Sequence, residues 1–345
     1  MTTMTLARPL VTGGVDTHRY EHVAAALDPV GGLLGTASFS TTIVGYAALV
    51  AWLRSFGEIA SVGVEGTGSY CTALARHLAD RGVTVLEVSR PNRQVQRRYD
   101  KSDVVDAIAA ARAVLSGEAT GTPTTHDGPV EVLRALKSLQ RSANKARTQA
   151  LNQIRAVLVT APNELRTRLR DLPRGELLAT CGAFHIKADD DALAAITRLT
   201  LRELGARIAF LDAQLKSIVA RLRRITTELA PDLVAKRGFG PGTASTLLLT
   251  VGRNPDRLHI ERAFASLVGS SPVPANSGQT QNRYRLNRGG DRQASAALWR
   301  IAMVRLSCDQ PTRDYVAKRQ AEGKTKSEAL RCLKRYIARE IYNSL

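Results

Sequence analysis

The chain is 345 residues long with a formal net charge of +18, which is length enough for two or three domains and a sizeable core. The charge is lopsided: residues 1–120 hold 11 Lys+Arg against 11 Asp+Glu and the remainder 38 against 20, so a neutral head joins a basic body, which favours nucleic acid as partner over a ribosomal or membrane-surface role. Cys71, Cys181, Cys308 and Cys332 are scattered with no CxxC pair, no apolar run reaches transmembrane length, and Met1 to Leu10 lacks a secretory core and cleavage site, which argues against a zinc site, a disulfide framework and a membrane span and for a cytoplasmic setting.

Val11 to Val15 reads as a strand ending at Asp16-Thr17-His18. Glu21 to Asp28 reads as a second strand, Pro29-Val30-Gly31-Gly32 as the turn, and Leu33 to Ser40 as a third. Thr42 to Phe56 places Val44, Ala48, Leu49, Trp52 and Leu53 on one helical face. Ile59 to Val64 is a short apolar strand that ends at Glu65-Gly66-Thr67-Gly68; Ser69 to Ala79 is helical, and Val83 to Val88 is another strand. A basic loop (Arg90, Arg93, Arg97, Arg98, Lys101) leads into a helix carrying Asp103 and Asp106. This β-β-β-α-β-α-β-α order predicts a mixed sheet with helices on both faces, the order of the ribonuclease H-like nuclease fold. In that arrangement Asp16 ends the first strand and Glu65 the fourth, on neighbouring strands. Asp103 and Asp106, three apart and so on one helix face, complete a cluster of four carboxylates.

Gly117 to Gly128, rich in Gly, Thr and Pro, reads as a linker between a first domain of residues 1–125 and a helical region of residues 126–231. An apolar stripe runs from Leu133 to Leu158, and Pro162 ends or kinks it; residues 171–190 read as irregular. Leu204, Ile208, Leu211, Leu215, Ile218, Leu222, Ile225 and Leu229 then form a heptad seam closed by Pro231, which predicts a coiled coil, either a hairpin with the preceding helix or, favoured, a pairing across a dimer. In residues 232–345, Gly238-Phe239-Gly240-Pro241-Gly242 and the run Thr243 to Val251 resemble a helix-hairpin-helix element, suited to a phosphate. Phe264 to Val268 starts a short helix, and Gly269 to Gly278 reads as a loop leading into Arg283, Arg285, Arg288 and Arg292. From Arg283 onward 15 Lys+Arg face 6 Asp+Glu, mostly on helical patterns, which favours phosphate contact.

Four carboxylates at strand ends and on one helix turn repel one another unless a cation sits among them, and Mg²⁺ suits oxygen donors beside a substrate phosphate. A DxxD pair alone is common on solvated helices; Asp16 and Glu65 at the ends of apolar strands are what favour a site. Ser277 sits in Asn-Ser-Gly, ordinarily turn chemistry, but its arginine-rich neighbourhood suits a serine attacking a phosphodiester. No histidine is near it in sequence, so its activation would come from the carboxylate and metal cluster. His18, His22 and His77 read as surface or satisfied side chains.

Gly14-Val15-Asp16-Thr17-His18, Val64-Glu65-Gly66-Thr67-Gly68-Ser69-Tyr70 and Asp103-Val104-Val105-Asp106-Ala107 resemble the DEDD motif of the IS110 group of bacterial insertion-sequence transposases. The later blocks Arg237-Gly238-Phe239-Gly240-Pro241, Phe264 to Gly269, Ser277-Gly278 and Gly289-Gly290-Asp291-Arg292 extend the resemblance from about residue 12 to 342. It implies a RuvC-like first domain, a coiled coil and a C-terminal transposase domain, working on donor and target DNA with a non-coding bridge RNA as partner. It implies strand exchange through a covalent serine–DNA link beside Mg²⁺, with Asp16, Glu65, Asp103 and Asp106 as the acidic set and Ser277 as nucleophile. Two departures stand out: Gly269-Ser270-Ser271-Pro272-Val273-Pro274 replaces the common Gly-Leu-Val-Pro, and Asn276 precedes a serine that is often doubled, which leaves Ser270 and Ser271 open as nucleophiles. The expected protein is therefore a nucleoid-associated recombinase, a homodimer or tetramer through its coiled coil, with a composite active site. Its rivals are a RuvC-class nuclease that hydrolyses DNA and a non-enzymatic nucleic-acid-binding protein with degenerate carboxylates.

Overall fold

The computed structural model describes residues 8–65, 70–88, 102–121, 123, 128–252, 258–274, 284–287 and 289–345. They fall into two compact units, residues 1–126 and 127–345. The first is a mixed α/β unit and the second is mainly helical.

In the first unit β1 (Leu10–Thr17), β2 (Glu21–Leu27) and β3 (Leu33–Ser40) form an antiparallel meander. Its β2–β3 turn is closed by the Asp28 carboxylate, which accepts from Val30 N–H and Gly32 N–H, while Gly31 takes φ +89°, a left-handed conformation that glycine adopts without strain. α1 (Ile43–Phe56) starts at Thr42, whose hydroxyl accepts from Gly45 N–H. β4 (Glu58–Glu65), α2 (Thr72–Ala79) and β5 (Val85–Val88) follow. The sheet order is β3-β2-β1-β4-β5, with β1, β4 and β5 parallel. The strand expected over 83–88 begins two residues later, and the helix expected from Ser69 begins at Thr72; Gly66 to Ser69 lie outside the described residues.

Alternation along the strands sorts the two faces. Val15, Ala24, Ala26, Val62 and Val64 turn toward α1 and α2 and pack with Leu49, Leu53, Leu74 and Leu78. The other face takes α3 (Asp103–Leu115), with Ala107 against Val23 and Ala25, and Ala110 and Val114 against Val88. The stretch expected as a free linker is partly tied down: Glu87 N–H donates to the Gly121 carbonyl at 2.6 Å, which extends the sheet edge.

The second unit begins with α4 (Gly128–Thr160), which ends ahead of Pro162, and α5 (Asn163–Leu169). Residues 171–190, expected to be irregular, contain α6 (Arg174–Gly182). It holds because Cys181 seats against the bare Gly205 of α7 (Ala192–Leu229), and that contact is invisible to local periodicity. α7 runs antiparallel to α4: Leu133 packs with Ile218, Leu222 and Ile225 at one end and Ile154 with Leu201 and Ile208 at the other, with Arg147 paired to Asp212 between them. Leu204, Ile208, Ile218, Leu222 and Ile225 of the heptad seam thus pack in clusters shared with α4 of the same chain, the hairpin arrangement, where the favoured reading had a pairing across a dimer. A seam specifies an apolar partner but not which helix provides it.

α8 (Pro231–Ala235), α9 (Pro241–Val251), α10 (Glu261–Leu267), α11 (Arg292–Cys308), α12 (Gln310–Ala321) and α13 (Lys326–Tyr342) close around a core of Leu247, Phe264, Leu298, Ile301, Leu333 and Ile337. The expected Gly269–Gly278 loop contains a short strand, β6 (Pro272–Pro274), paired antiparallel with β7 (Tyr284–Leu286) so that Pro274 faces Tyr284.

Candidate active site

Two glycines build the acidic site. Gly14 of β1 and Gly63 of β4 are register partners on the face that takes α3. A methyl group at Gly14 would sit 2.8 Å from the Ala111 Cα and nearer still to the Ala107 carbonyl and Ala111 nitrogen; at Gly63 it would sit 2.6 Å from the Ala110 carbonyl. The helix backbone therefore rests directly on the sheet, through its alanines, and its first turn is held over the ends of β1 and β4. Ser102 caps that turn, its hydroxyl accepting from Val105 N–H, and the helix N-terminus favours the negative charge of Asp103 and Asp106.

Asp16 and Glu65 are direct partners in the parallel β1–β4 pairing, and both are 8% exposed. Thr17 Oγ1 donates to the Glu65 carbonyl at 3.0 Å and ties the two strand ends together. His18 bridges the sheet and the helix: its Nε2 lies 3.0 Å from Asp16 Oδ2 and 3.3 Å from Asp103 Oδ1. Burial raises the Asp16 carboxyl above its ordinary value; His18 lowers it, and the charges of Asp106 and Asp103 raise it further. One ligand atom from each of Asp16, His18 and Asp103 falls within 4.8 Å of the other two.

This donor set suits a hard divalent cation. Its oxygens come from separate elements, converge at a strand end, and include a buried carboxylate whose ionised form is disfavoured by its surroundings. His18, read from sequence as a surface or satisfied residue, is part of the constellation. It stands one residue past the end of β1, and no local pattern marks it, because its partner Asp103 comes from a distant helix.

Ser277, Arg283 and Arg288 lie outside the described residues. Arg285 stands on β7 and Arg292 opens α11, and both line one small cavity with Ser295 and Arg331. Of the alternative serines, Ser270 is fully buried, with its hydroxyl donated to the Ala265 carbonyl, and Ser271 pairs with the Ser266 hydroxyl at 3.1 Å. His22 and His77, also expected to be surface or satisfied, are buried, and neither His22 ring nitrogen nor His77 Nε2 has a hydrogen-bond partner among the described residues. Both rings pack on Tyr46, His22 stacked and His77 edge-on.

Comparison with known proteins places this arrangement. The IS110 DEDD transposase family model, described as a transposase, matches residues 13–161 and so spans all four carboxylates. A second, described as the transposase IS116/IS110/IS902 family, matches residues 233–317. Over these two stretches the chain is similar to the IS110 family of insertion-sequence transposases. Among its relatives is the uncharacterized 43.6 kDa protein of insertion element IS110 from Streptomyces coelicolor, 29% identical over 137 residues, which are 38% of this chain and 33% of that one. Another is the uncharacterized 42 kDa protein of insertion element IS900 from Mycobacterium paratuberculosis, 23% identical over 258 residues, 75% of this chain and 58% of that one. The chain thus spans between a third and three-fifths of the length of these relatives. A DEDD transposase implies a divalent metal ion, in keeping with the donor set above. No helix among the described residues is long and apolar enough to cross a membrane.

Proposed function

We propose that this chain is an IS110-family transposase and the recombinase that moves its own insertion sequence, exchanging DNA strands through a covalent serine–DNA intermediate under the guidance of a non-coding bridge RNA. The observation that carries the reading is the register of β1 and β4. It pairs Asp16 with Glu65, and the Gly14 and Gly63 seat sets the acidic first turn of α3 on the same face. The strand order, in which β2 alone runs against the other four, supports a ribonuclease H-like, RuvC-like assignment for the first unit. The excess of Lys and Arg in the second supports polyanion binding.

In this reading Asp16, Glu65, Asp103 and Asp106 would hold Mg²⁺, which would stabilise charge that builds on the phosphate oxygens. His18 orients the Asp16 and Asp103 carboxylates. Ser277 is the nucleophile: its Oγ loses a proton to a base, bonds to phosphorus and displaces one sugar oxygen, which is protonated as it leaves. A sugar hydroxyl of the second DNA then attacks the same phosphorus and restores the serine. Arg283, Arg285, Arg288 and Arg292 meet the phosphates. Donor DNA, target DNA and the bridge RNA are the partners, and the working assembly is a homodimer or tetramer.

Covalent trapping tests the proposal. Purified protein, the non-coding RNA flanking its element, Mg²⁺ and labelled donor and target DNA are incubated, denatured, and resolved for a protein–DNA band. The expected result is an adduct that Ser277→Ala and Asp103→Ala both lose. Cleaved DNA with no adduct, still formed by Ser277→Ala, would mean hydrolysis by the acidic site and a RuvC-class nuclease instead.

A further inference from the structure

One surface of the second unit is built for more than backbone phosphates. On α13, Glu328, Arg331, Arg335, Tyr336 and Arg339 recur at three- and four-residue steps and so share one face. Opposite that face stand Tyr284 and Arg285 of β7 and Tyr315 and Arg319 of α12. Together they line an open cleft of about 700 Å³, a volume typical of sites that take a small organic ligand.

Its lining combines two chemistries. Tyr284 and Tyr336 are 62% and 50% exposed, and Tyr336 meets Tyr315 edge to face at 5.4 Å, so open aromatic faces line the cavity. Cations stand between them. Arg319 lies over the Tyr315 ring and Arg339 over the Tyr336 ring, at 5.4 and 6.0 Å from the centroids. Arg335 is held by Glu261, Arg319 by Glu322 and Arg331 by Glu328 at 3.9 Å, whereas Arg285 and Arg339 form no ion pair among the described residues.

A second lobe adjoins the first and shares Arg285, Leu286 and Arg331 with it. There the buried Lys334 donates from Nζ to Ser295 Oγ at 2.8 Å, which leaves the serine hydroxyl hydrogen free to donate to an anion. Arg292 completes that lobe. An aromatic lobe joined through shared arginines to a cationic, donor-rich lobe fits a planar base on one side and its phosphate on the other.

We propose that this double cavity is a seat for an unpaired nucleotide, with its base stacked on Tyr336 and Tyr284 and its phosphate held by Arg285, Arg331 and Ser295. A base within a duplex keeps its faces covered by its neighbours, so the seat selects for single strands and extruded bases. The inference rests on the nucleic-acid reading above and goes beyond it by distinguishing paired from unpaired strands and by naming the residues that do so.

The test uses the full-length protein and oligonucleotides carrying one 2-aminopurine, as single strands, as duplexes with the fluorophore paired, and as duplexes with it bulged, each made in DNA and in RNA. Affinity is read by anisotropy of an end label and stacking by quenching of the 2-aminopurine. Expected are quenching in the single strand and the bulge but not in the paired duplex, loss of that quenching in Tyr336→Leu and its retention in Tyr336→Phe. Tyr336→Leu weakens single-strand binding about tenfold and leaves duplex binding unchanged. Tyr284→Leu, at a more exposed ring, gives the same pattern if Tyr336→Leu fails to fold. The RNA and DNA arms identify which strand occupies the seat. Binding of all forms with equal affinity and no quenching overturns the seat while leaving the nucleic-acid reading intact. Absence of binding to any form overturns both.

Discussion

Substitution of Gly14 by alanine separates the seating of α3 from the chemistry it carries. The added methyl would lie 2.8 Å from the Ala111 Cα and closer to two backbone atoms of the same helix, where ordinary contact is 3.4–4 Å, so the helix must retreat by about 1 Å. Overpacking of this kind costs about 1–3 kcal/mol, too little to unfold a domain of ordinary stability. A displacement of about 1 Å in a positioned catalytic group, by contrast, costs on the order of 100-fold in rate. Gly14→Ala is therefore expected to lower the urea midpoint modestly and to reduce adduct formation about 100-fold, with a higher Mg²⁺ requirement because Asp103 and Asp106 leave Asp16. Gly175→Ala is the control: its methyl meets nothing within 4 Å and it lies in α6, so stability stays level or rises by a few tenths of a kcal/mol. If Gly14→Ala matched the parent in both urea midpoint and Mg²⁺ titration, α3 would not be seated on Gly14 and the account of the acidic site would be wrong.

Further outcomes follow from other parts of the chain. Asp16→Asn removes a carboxylate that burial holds above its ordinary pKa, so the variant should lose strand exchange yet unfold at an equal or higher urea concentration in the absence of divalent metal. Added Mg²⁺ should raise the thermal midpoint of the parent and not that of the variant. His22, pushed down to about 4 by burial and then by His18, binds fewer protons folded than unfolded between pH 6.5 and 4. Its contribution is therefore complete above pH 6.5 and lost as pH falls toward 4, by about 3 kcal/mol in all, and His22→Leu should flatten that part of a stability-versus-pH curve. Leu222→Ala, at a fully buried seam position packed with Leu133 of α4, should cost about 2–5 kcal/mol, and because that contact lies within one chain the loss should be the same at low and high protein concentration. A destabilisation by Leu222→Ala that changed with protein concentration would return the seam to an intermolecular role.

Much of the first unit can be read from residues alone, because alternation and helical periodicity are local properties. Val11 to Val15 followed by Asp16, and Ile59 to Val64 followed by Glu65, announce buried strands that end in carboxylates. Ser102 followed by Asp103 and Asp106 announces a capped helix start. The order of the elements among the described residues of that unit was legible for the same reason.

What local pattern does not carry is the identity of the partner. The heptad residues from Leu204 to Leu229 specify an apolar stripe, and only the fold decides that α4 of the same chain covers most of it. Gly14 and Gly63 are unremarkable small residues until β1 and β4 lie in register beneath α3. His18 looks like any exposed histidine until the helix brings Asp103 to it, and the tyrosines and arginines of the double cavity come from segments far apart in the chain. Sequence by itself determined the apolar faces of the strands and helices of the first unit and placed Asp16 and Glu65 at neighbouring strand ends and Asp103 and Asp106 on one helix turn. Tertiary structure decided what each buried face meets, because periodicity fixes a side chain's direction relative to its own backbone and says nothing about the backbone packed against it.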